Sequence, residues 1–362
     1  KLQPSKGKQN TLEGIDLNTG QPIWEREINR EYSWNNSFYL NDSTLLVGAA
    51  GLHTINIFDG TGWDYNTVTG KKDYTASAVG TGLGIAAGLL TVMYSASTGH
   101  NLVRDVVSNV IVDSLYIYFA SKEQLVKLDK QGEIIWQKPL PSDLTSRSWI
   151  SKSNDNLIMV NRGFAYMGYR QLDFGTPFIA SFNINSGDQN YLATVSNKKK
   201  EIIKGLDQYD DVLLFVFNDH VSKYLISDGQ QIIDRTFNIE EHGELEYFIG
   251  DQVFVHRDSL FLSLPQMDSS KHYLYTKSGT VLVLNSDLEI ENKVGAEDFY
   301  IYYLNKSDKK FIARDHQTYV IDATGKKVAE FSASSRSTYL NGKLYTTDEN
   351  SLLQIDIEKL VK

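Results

Sequence analysis

No cysteine occurs among the 362 residues. That excludes a disulfide framework, a thiolate nucleophile and a thiolate-ligated zinc centre, and it fits an oxidising compartment where stray thiols are a liability. A basic excess is also missing. With 45 acidic against 36 basic side chains the net charge is −9, which argues against nucleic acid as a partner, because phosphate binding needs a basic surface. Proline is scarce at 6 residues, and no long stretch has the 3.6-residue periodicity of an amphipathic helix. Hydrophobic residues make up 41% and charged residues 22%, so wholesale disorder is excluded and a large core is expected. The first residue is Lys rather than Met, which reads as a chain whose targeting segment has been removed.

What is present is a phrase that recurs along the whole chain. It runs Leu12-Glu-Gly-Ile-Asp16-Leu-Asn-Thr-Gly20-Gln-Pro-Ile-Trp24, and again Leu125-Val-Lys-Leu128-Asp129-Lys-Gln-Gly132-Glu-Ile-Ile-Trp136. Weaker copies surround Asn183 to Gly187, Asp228-Gly229, Asn285 to Asp287 and Asp322 to Gly325. Each copy is an apolar strand, a polar turn and a second alternating strand. Asp or Asn bonds the nearby backbone in such a turn, and Gly takes the positive φ it needs. Two further short β-branched and aromatic runs separate one copy from the next, for example 202–206 and 212–217. Four short strands per unit, repeated, indicate an all-β repeat fold.

First strands are expected to start near residues 33, 104, 146, 201, 245, 298 and 336. The expectation is a single domain over 1–362: a seven-bladed β-propeller of four-stranded antiparallel blades, with eight blades the alternative. Its ring is closed by N- and C-terminal strands, 22–28 supplying the outer strand that the C-terminal unit lacks.

The phrase with Asp, Thr-Gly and a trailing Trp resembles the repeat of the pyrroloquinoline-quinone-like (quinoprotein) propellers. The match is good from Ile15 to Trp24 and from Leu128 to Trp136, and partial from Ile321 to Lys326. The resemblance implies the propeller fold and implies that Trp24 and Trp136 pack one blade on the next. The family contains quinone-dependent dehydrogenases and non-enzymatic members, among them a lipoprotein scaffold of the bacterial outer-membrane β-barrel assembly machinery. The dehydrogenases carry a vicinal cysteine pair and a calcium site. This chain has no cysteine and no residues that carry the calcium or base roles over, so no cofactor and no catalytic or metal-binding residue is assigned.

Other motifs dissolve on inspection. His256-Arg257-Asp258 spells a kinase catalytic triplet, but Ser263 stands where Asn is required. Gly82-x-Gly84-x-x-Ala87 lacks the βαβ context of a dinucleotide site. The histidines at 53, 100, 220, 242, 256, 272 and 316 show no metal-ligand spacing and are expected as solvated or hydrogen-bonded loop residues. Lys198 to Lys200 read as a solvated turn.

One segment stands apart. Residues 74–103 contain no Asp, Glu, Lys or Arg, and Gly80, Gly84 and Gly88 fall four apart. On a helix they would form one smooth stripe permitting close backbone approach. The readings are an insertion packed on the propeller or lining its channel, a partner-docking segment, or a membrane contact. Its apolar centre is at the lower limit of a membrane span, about 17–25 residues. The candidate interaction residues are Gly80, Leu83, Gly84, Ile85, Gly88, Leu89 and Leu90. Lesser insertions are expected at 162–176 and 265–277.

These observations point to a non-catalytic scaffold binding another envelope protein, exported to the periplasm or anchored at the outer membrane, with membrane contact only through an anchor or the 74–103 insertion. The alternative is a glycan- or small-molecule-binding protein, hydrolytic if paired carboxylates line a cleft, that uses the channel mouth. The 21 Tyr and 5 Trp motivate it, since aromatic faces stack on sugar rings.

Overall fold

A computed structural model describes residues 11–16, 19–28, 36–48, 51–67, 71–73, 107–141, 143–167, 170–196, 201–248, 253–256, 270–295, 299–302, 310–314, 317–321, 327–332, 338–340, 343–348 and 351–356. The candidate segment from Gly80 to Leu90, like Lys198 to Lys200, lies outside them. Among the described residues the chain is almost wholly β, and its one helix is the single turn α1, Ile239–His242.

Five antiparallel sheets follow one another along the chain. Blade 1 comprises Asn36–Asn41, Thr44–Gly48, Gly51–Asn56 and Asp64–Asn66, with a fifth strand, Lys71–Asp73. Blade 2 is Ile111–Val112, Tyr116–Ala120, Gln124–Asp129 and Ile134–Pro139. Blade 3 is Ser148–Ser153, Asn156–Asn161, Phe178–Asn183 and Gln189–Thr194. Blade 4 is Gly205–Tyr209, Val212–Val216, His220–Leu225 and Gln231–Thr236. Blade 5 is Leu245–Phe248, His272–Thr276, Thr280–Leu284 and Ile290–Gly295. Two three-stranded sheets follow, Lys310–Arg314 with Gln317–Ile321 and Lys327–Ser332, and Thr338–Leu340 with Lys343–Asp348 and Ser351–Asp356.

The middle strands of each blade are continuous apolar runs because both their faces are buried. In blade 2, Ile117 and Phe119 join Leu46, Leu52 and Tyr65 of blade 1, while the alternate residues Tyr118 and Ala120 join Leu157 and Met159 of blade 3. Ile158 and Val160 of blade 3 then meet Leu213 and Phe215 of blade 4. Leu214 and Val216 meet Leu274 and Leu282 of blade 5. The period of two along each strand thus sends alternate side chains to opposite neighbours. Sheets stacked face to face in chain order, each burying its middle strands on the next, are the architecture of a β-propeller.

The turn phrase supplies a second link. The Trp24 Nε1–H donates to the Ile57 carbonyl at 2.8 Å and its ring covers Gly60. Trp63 reaches the Lys130 carbonyl at 3.3 Å and covers Gly132. Trp136 reaches the Ile184 carbonyl at 3.2 Å and covers Gly187. In the next step a tyrosine substitutes: the Tyr191 hydroxyl donates to the Ile226 carbonyl at 2.5 Å, its ring against Gly229. Four successive outer strands, from the N-terminal hairpin to blade 3, therefore rest an aromatic on the third-to-fourth-strand turn of the following blade, as the resemblance implied for Trp24 and Trp136; the outer strand of blade 4, Gln231–Thr236, has no aromatic and packs Ile233 toward blade 5.

The structure departs from the expectation in three places. Phe299–Tyr302 pairs with Val253–His256 and not with the run at 310–314, so the sixth unit's first strand is held by a strand of the segment inserted in blade 5. The insertion expected at 265–277 is narrower, because His272–Thr276 is the second strand of blade 5. Within 162–176, as expected of an insertion, lies a separate hairpin, Phe164–Met167 with Arg170–Asp173. At the ends, Thr11–Ile15 and Pro22–Glu27 form a two-stranded sheet of their own. That hairpin packs Leu12 and Ile28 on Val47 and Ile55 of blade 1, and among the described residues it shares no hydrogen-bonded pairing with the C-terminal sheet.

Candidate functional site

Two ends of the sheet stack differ in what they present. In each blade the first-to-second and third-to-fourth turns lie together at one end: Ile57 N–H donates to the Ser43 carbonyl at 2.9 Å in blade 1, Ile184 to Asp155 at 2.8 Å in blade 3, and Ile226 to Asp211 at 2.8 Å in blade 4. The aromatic links hold these ends of neighbouring blades side by side. They carry Asp42 and Asp210 together with Asp59, Asp113, Asp129 and Asp228, and the last four accept from N–H groups of their own turns. Asp113 Oδ1, for instance, accepts from the N–H groups of Leu115 and Tyr116 at 2.9 and 2.7 Å. The same end exposes large apolar side chains: Tyr39 at 67%, Phe58 at 68%, Leu115 at 62% and Tyr209 at 45%.

The opposite end holds a cavity. The first strands of successive blades converge: the Asn109 side chain brackets the Ile150 backbone, donating to its carbonyl at 2.9 Å and accepting from its N–H at 2.8 Å. Ser151 donates to Gln208 at 2.7 Å, and a Cβ at Gly205 would come within 2.8 Å of Tyr247 Cα. Where these strands begin, a cavity of about 360 Å3 opens, lined by Arg147, Arg162 and Lys204 together with Trp149, Tyr247 and Asn109 among others. The Arg162 Nε–H donates to the Ile203 carbonyl at 2.9 Å, a second guanidinium nitrogen donates to the Lys204 carbonyl, and the group rests 5.0 Å from the Phe164 ring centre. Lys204 Nζ donates to the Leu245 carbonyl at 3.1 Å and lies 3.4 Å from both Glu244 and Glu246. Among the described residues no carboxylate lines the cavity, so the carboxylate pair that a hydrolytic reading requires is not found among them.

The described histidines, 53, 220, 242, 256 and 272, lie in strands or the helical turn and not in loops. His53, His220 and His242 are buried at 6, 7 and 5% exposure, and His53, His220 and His272 lie in strands. His53 Nδ1 and Arg26 both meet Asp64 Oδ1, at 2.7 and 2.6 Å, tying the N-terminal hairpin to blade 1. Glu201, Asp219 and His220 bring ligand-type atoms within 4.8 Å of one another. Their own contacts account for this: His220 bonds Asp219 at 2.7 Å and stacks on Phe217 at 4.3 Å, and Glu201 accepts from Ser196. Burial holds the His272 imidazole below the usual histidine range, the nearby Asp207 opposing it. The same burial raises the Asp207 carboxyl. No helix among the described residues is long and apolar enough to cross a membrane.

Neither the apolar end nor the cavity is legible in the turn phrase. Arg147 and Lys204 immediately precede first strands, and a basic residue recurring at that position is the one signal that leads to the cavity.

No protein-family model and no curated protein sequence matches the chain. Among solved structures the chain is similar to BamB from Moraxella catarrhalis, with TM-score 0.47, 9% identity, and 96% of this chain and 91% of that one covered. It is also similar to apo AztD from Citrobacter koseri, with TM-score 0.45, 9% identity, and 98% and 91% covered. A protein of unknown function from Bacteroides caccae follows, with TM-score 0.37, 12% identity, and 89% and 90% covered. Scores and identities this low bear on neither activity nor partner. The order, pairing and stacking of the sheets make the chain a β-propeller-type protein.

Proposed function

We propose that this chain is a non-catalytic propeller scaffold that binds another protein of the bacterial cell envelope. The observation that carries the reading is the apolar end: Tyr39, Phe58, Leu115 and Tyr209, contributed by three blades and 45–68% exposed. Large apolar side chains gathered at one end, among aspartates, have the makeup of a protein-binding surface with a polar rim. The aspartate turns favour a partner whose contacting surface is basic.

The uncharged segment 74–103, centred on Gly80, Leu83, Gly84, Ile85, Gly88, Leu89 and Leu90, serves in this reading as a second docking element. The quinoprotein-like phrase and the absence of cysteine support an exported, periplasmic or outer-membrane-anchored location. The ring is read as seven blades, the last assembled from both chain ends. Eight is the alternative if the N-terminal hairpin and the C-terminal sheet belong to separate blades.

Site-specific photocrosslinking in the native envelope tests the proposal. A crosslinker at Phe58 or Leu115 is expected to give a discrete adduct with one other protein. The adduct is lost with Tyr39→Ser and Tyr209→Ser, and weakened when 79–94 is replaced by a Gly-Ser linker. A chain that forms no adduct from that end or from the 79–94 segment is not a scaffold.

A further inference from the structure

The cavity at the opposite end has a composition that the rest of the chain does not share. The protein carries a net charge of −9, yet Arg147, Arg162 and Lys204 are cationic while no lining side chain is acidic. Turn chemistry does not explain these three residues, because aspartate, asparagine and glycine serve the turns. Nor does blade packing, which the apolar middle strands and the aromatic links already perform.

Two of the cationic groups, Arg162 and Lys204, are also fixed in place. The Arg162 guanidinium is clamped by the Ile203 and Lys204 carbonyls and backed by the Phe164 ring. Those partners orient the group. Lys204 is drawn to the wall by the Leu245 carbonyl and by Glu244 and Glu246, neither of which lines the cavity. Asn109 spends both ends of its amide on the Ile150 backbone, so it fixes the wall's shape and leaves recognition to its neighbours. Fixed charges of one sign on a partly enclosed wall bind an oxyanion with little reorganisation.

Size and the aromatic lining narrow the ligand further. A cavity of about 360 Å3 is larger than a bare inorganic anion needs and lies at the small end of ligand pockets, about 300–1,000 Å3. Trp149 and Tyr247 add aromatic side chains to the same lining, the residue type that stacks on sugar rings. The overall negative charge disfavours an extended polyanion. We infer that this cavity is a binding site for a small acidic sugar, a monosaccharide-sized ring bearing a carboxylate or a phosphate. Arg147, Arg162 and Lys204 hold the oxyanion, and Trp149 and Tyr247 cover the ring. The inference is independent of the scaffold reading, which concerns the other end of the blades.

Trp149 makes the site its own reporter. The full chain is titrated with D-glucuronate, glucose 6-phosphate, neutral glucose and inorganic phosphate, following tryptophan emission and calorimetric heat. Glucuronate or glucose 6-phosphate is expected to bind saturably, with a signal that Trp149→Phe removes from emission but not from calorimetry. Which of the two binds more tightly identifies the anion. Arg147→Gln is expected to weaken binding by about tenfold, the effect of one charge-assisted hydrogen bond, with unchanged circular dichroism. Inorganic phosphate is expected to compete weakly in the unmodified protein, which tests the anion site without any variant. Glucose binding as well as its acidic analogues would overturn the anion assignment. Phosphate binding as tightly as glucose 6-phosphate would overturn the sugar assignment. Absence of binding by every acidic probe would overturn the site.

Discussion

The indole of Trp136 lies against Gly187 of the next blade and donates its Nε1–H to the Ile184 carbonyl at 3.2 Å. The same carbonyl accepts from the buried Lys127 ammonium at 3.0 Å, and Trp136 is only 8% exposed. One turn of blade 3 is thus gripped by an outer-strand and a third-strand side chain of blade 2. Because Trp24, Trp63 and Tyr191 repeat the aromatic half of the grip, the links are a serial device running from the N-terminal hairpin through blade 4.

Trp136→Ala removes both the packing and the bond and should destabilise the fold by about 3–5 kcal/mol. Trp136→Phe keeps most of the apolar contact. Its lost bond leaves a carbonyl still satisfied by Lys127, so a cost of about 1 kcal/mol is expected. Urea unfolding of the two variants, compared at constant m-value, distinguishes packing from hydrogen bonding. Equal costs would show that the indole contributes mainly through its N–H.

The partner of that indole gives a matched comparison. Gly187 and Gly20 occupy equivalent turns at φ +72 and +70, but a Cβ at Gly187 would come within 2.7 Å of the Trp136 ring, whereas nothing lies within 4 Å at Gly20. Gly20→Ala should therefore cost only the left-handed backbone penalty, about 1 kcal/mol, and Gly187→Ala about 1–2 kcal/mol more. Thermal melts of the two variants check the ordering.

Acid stability should depend on Asp113, which joins blade 2 to blade 3 through Lys152. Burial alone would raise its carboxyl. The hydrogen bond from Lys152, aided by the N–H groups of Tyr116 and Leu115, more than reverses this and lowers it from 3.8 to about 2. A carboxyl depressed in the folded state stabilises above its unfolded value, and that contribution is lost as pH falls from about 4 to about 2. With the side chain 28% exposed, solvent screening limits the effect to about 1–2 kcal/mol. Asp113→Asn should lower stability at pH 7 by that amount and flatten the loss between pH 4 and 2, as followed by urea midpoints across that range.

Much of the architecture was legible because propeller blades are written in local chemistry. The Asp16 to Trp24 and Asp129 to Trp136 phrases specify a turn and an outer strand within a dozen residues. The runs at 116–120 and 212–216 advertise strands buried on both faces. Legibility failed where pairing skips along the chain. Phe299–Tyr302 reaches back to Val253–His256 across blade 5, and nothing near residue 300 records that partner. Trp63 was missed as a link because its turn, closed by Gly60 N–H donating to the Asn56 carbonyl at 2.8 Å, carries the phrase in altered spacing.

The sequence by itself determined strand period, turn positions and the absence of thiol chemistry, since each depends on neighbours a few residues apart. Tertiary structure alone decided that Arg147, Arg162 and Lys204 share a cavity, and that Tyr39, Phe58, Leu115 and Tyr209 emerge at one end. Both groupings arise from blades stacked in series, which bring side chains tens of residues apart to the same end of the fold, a proximity that no local pattern encodes.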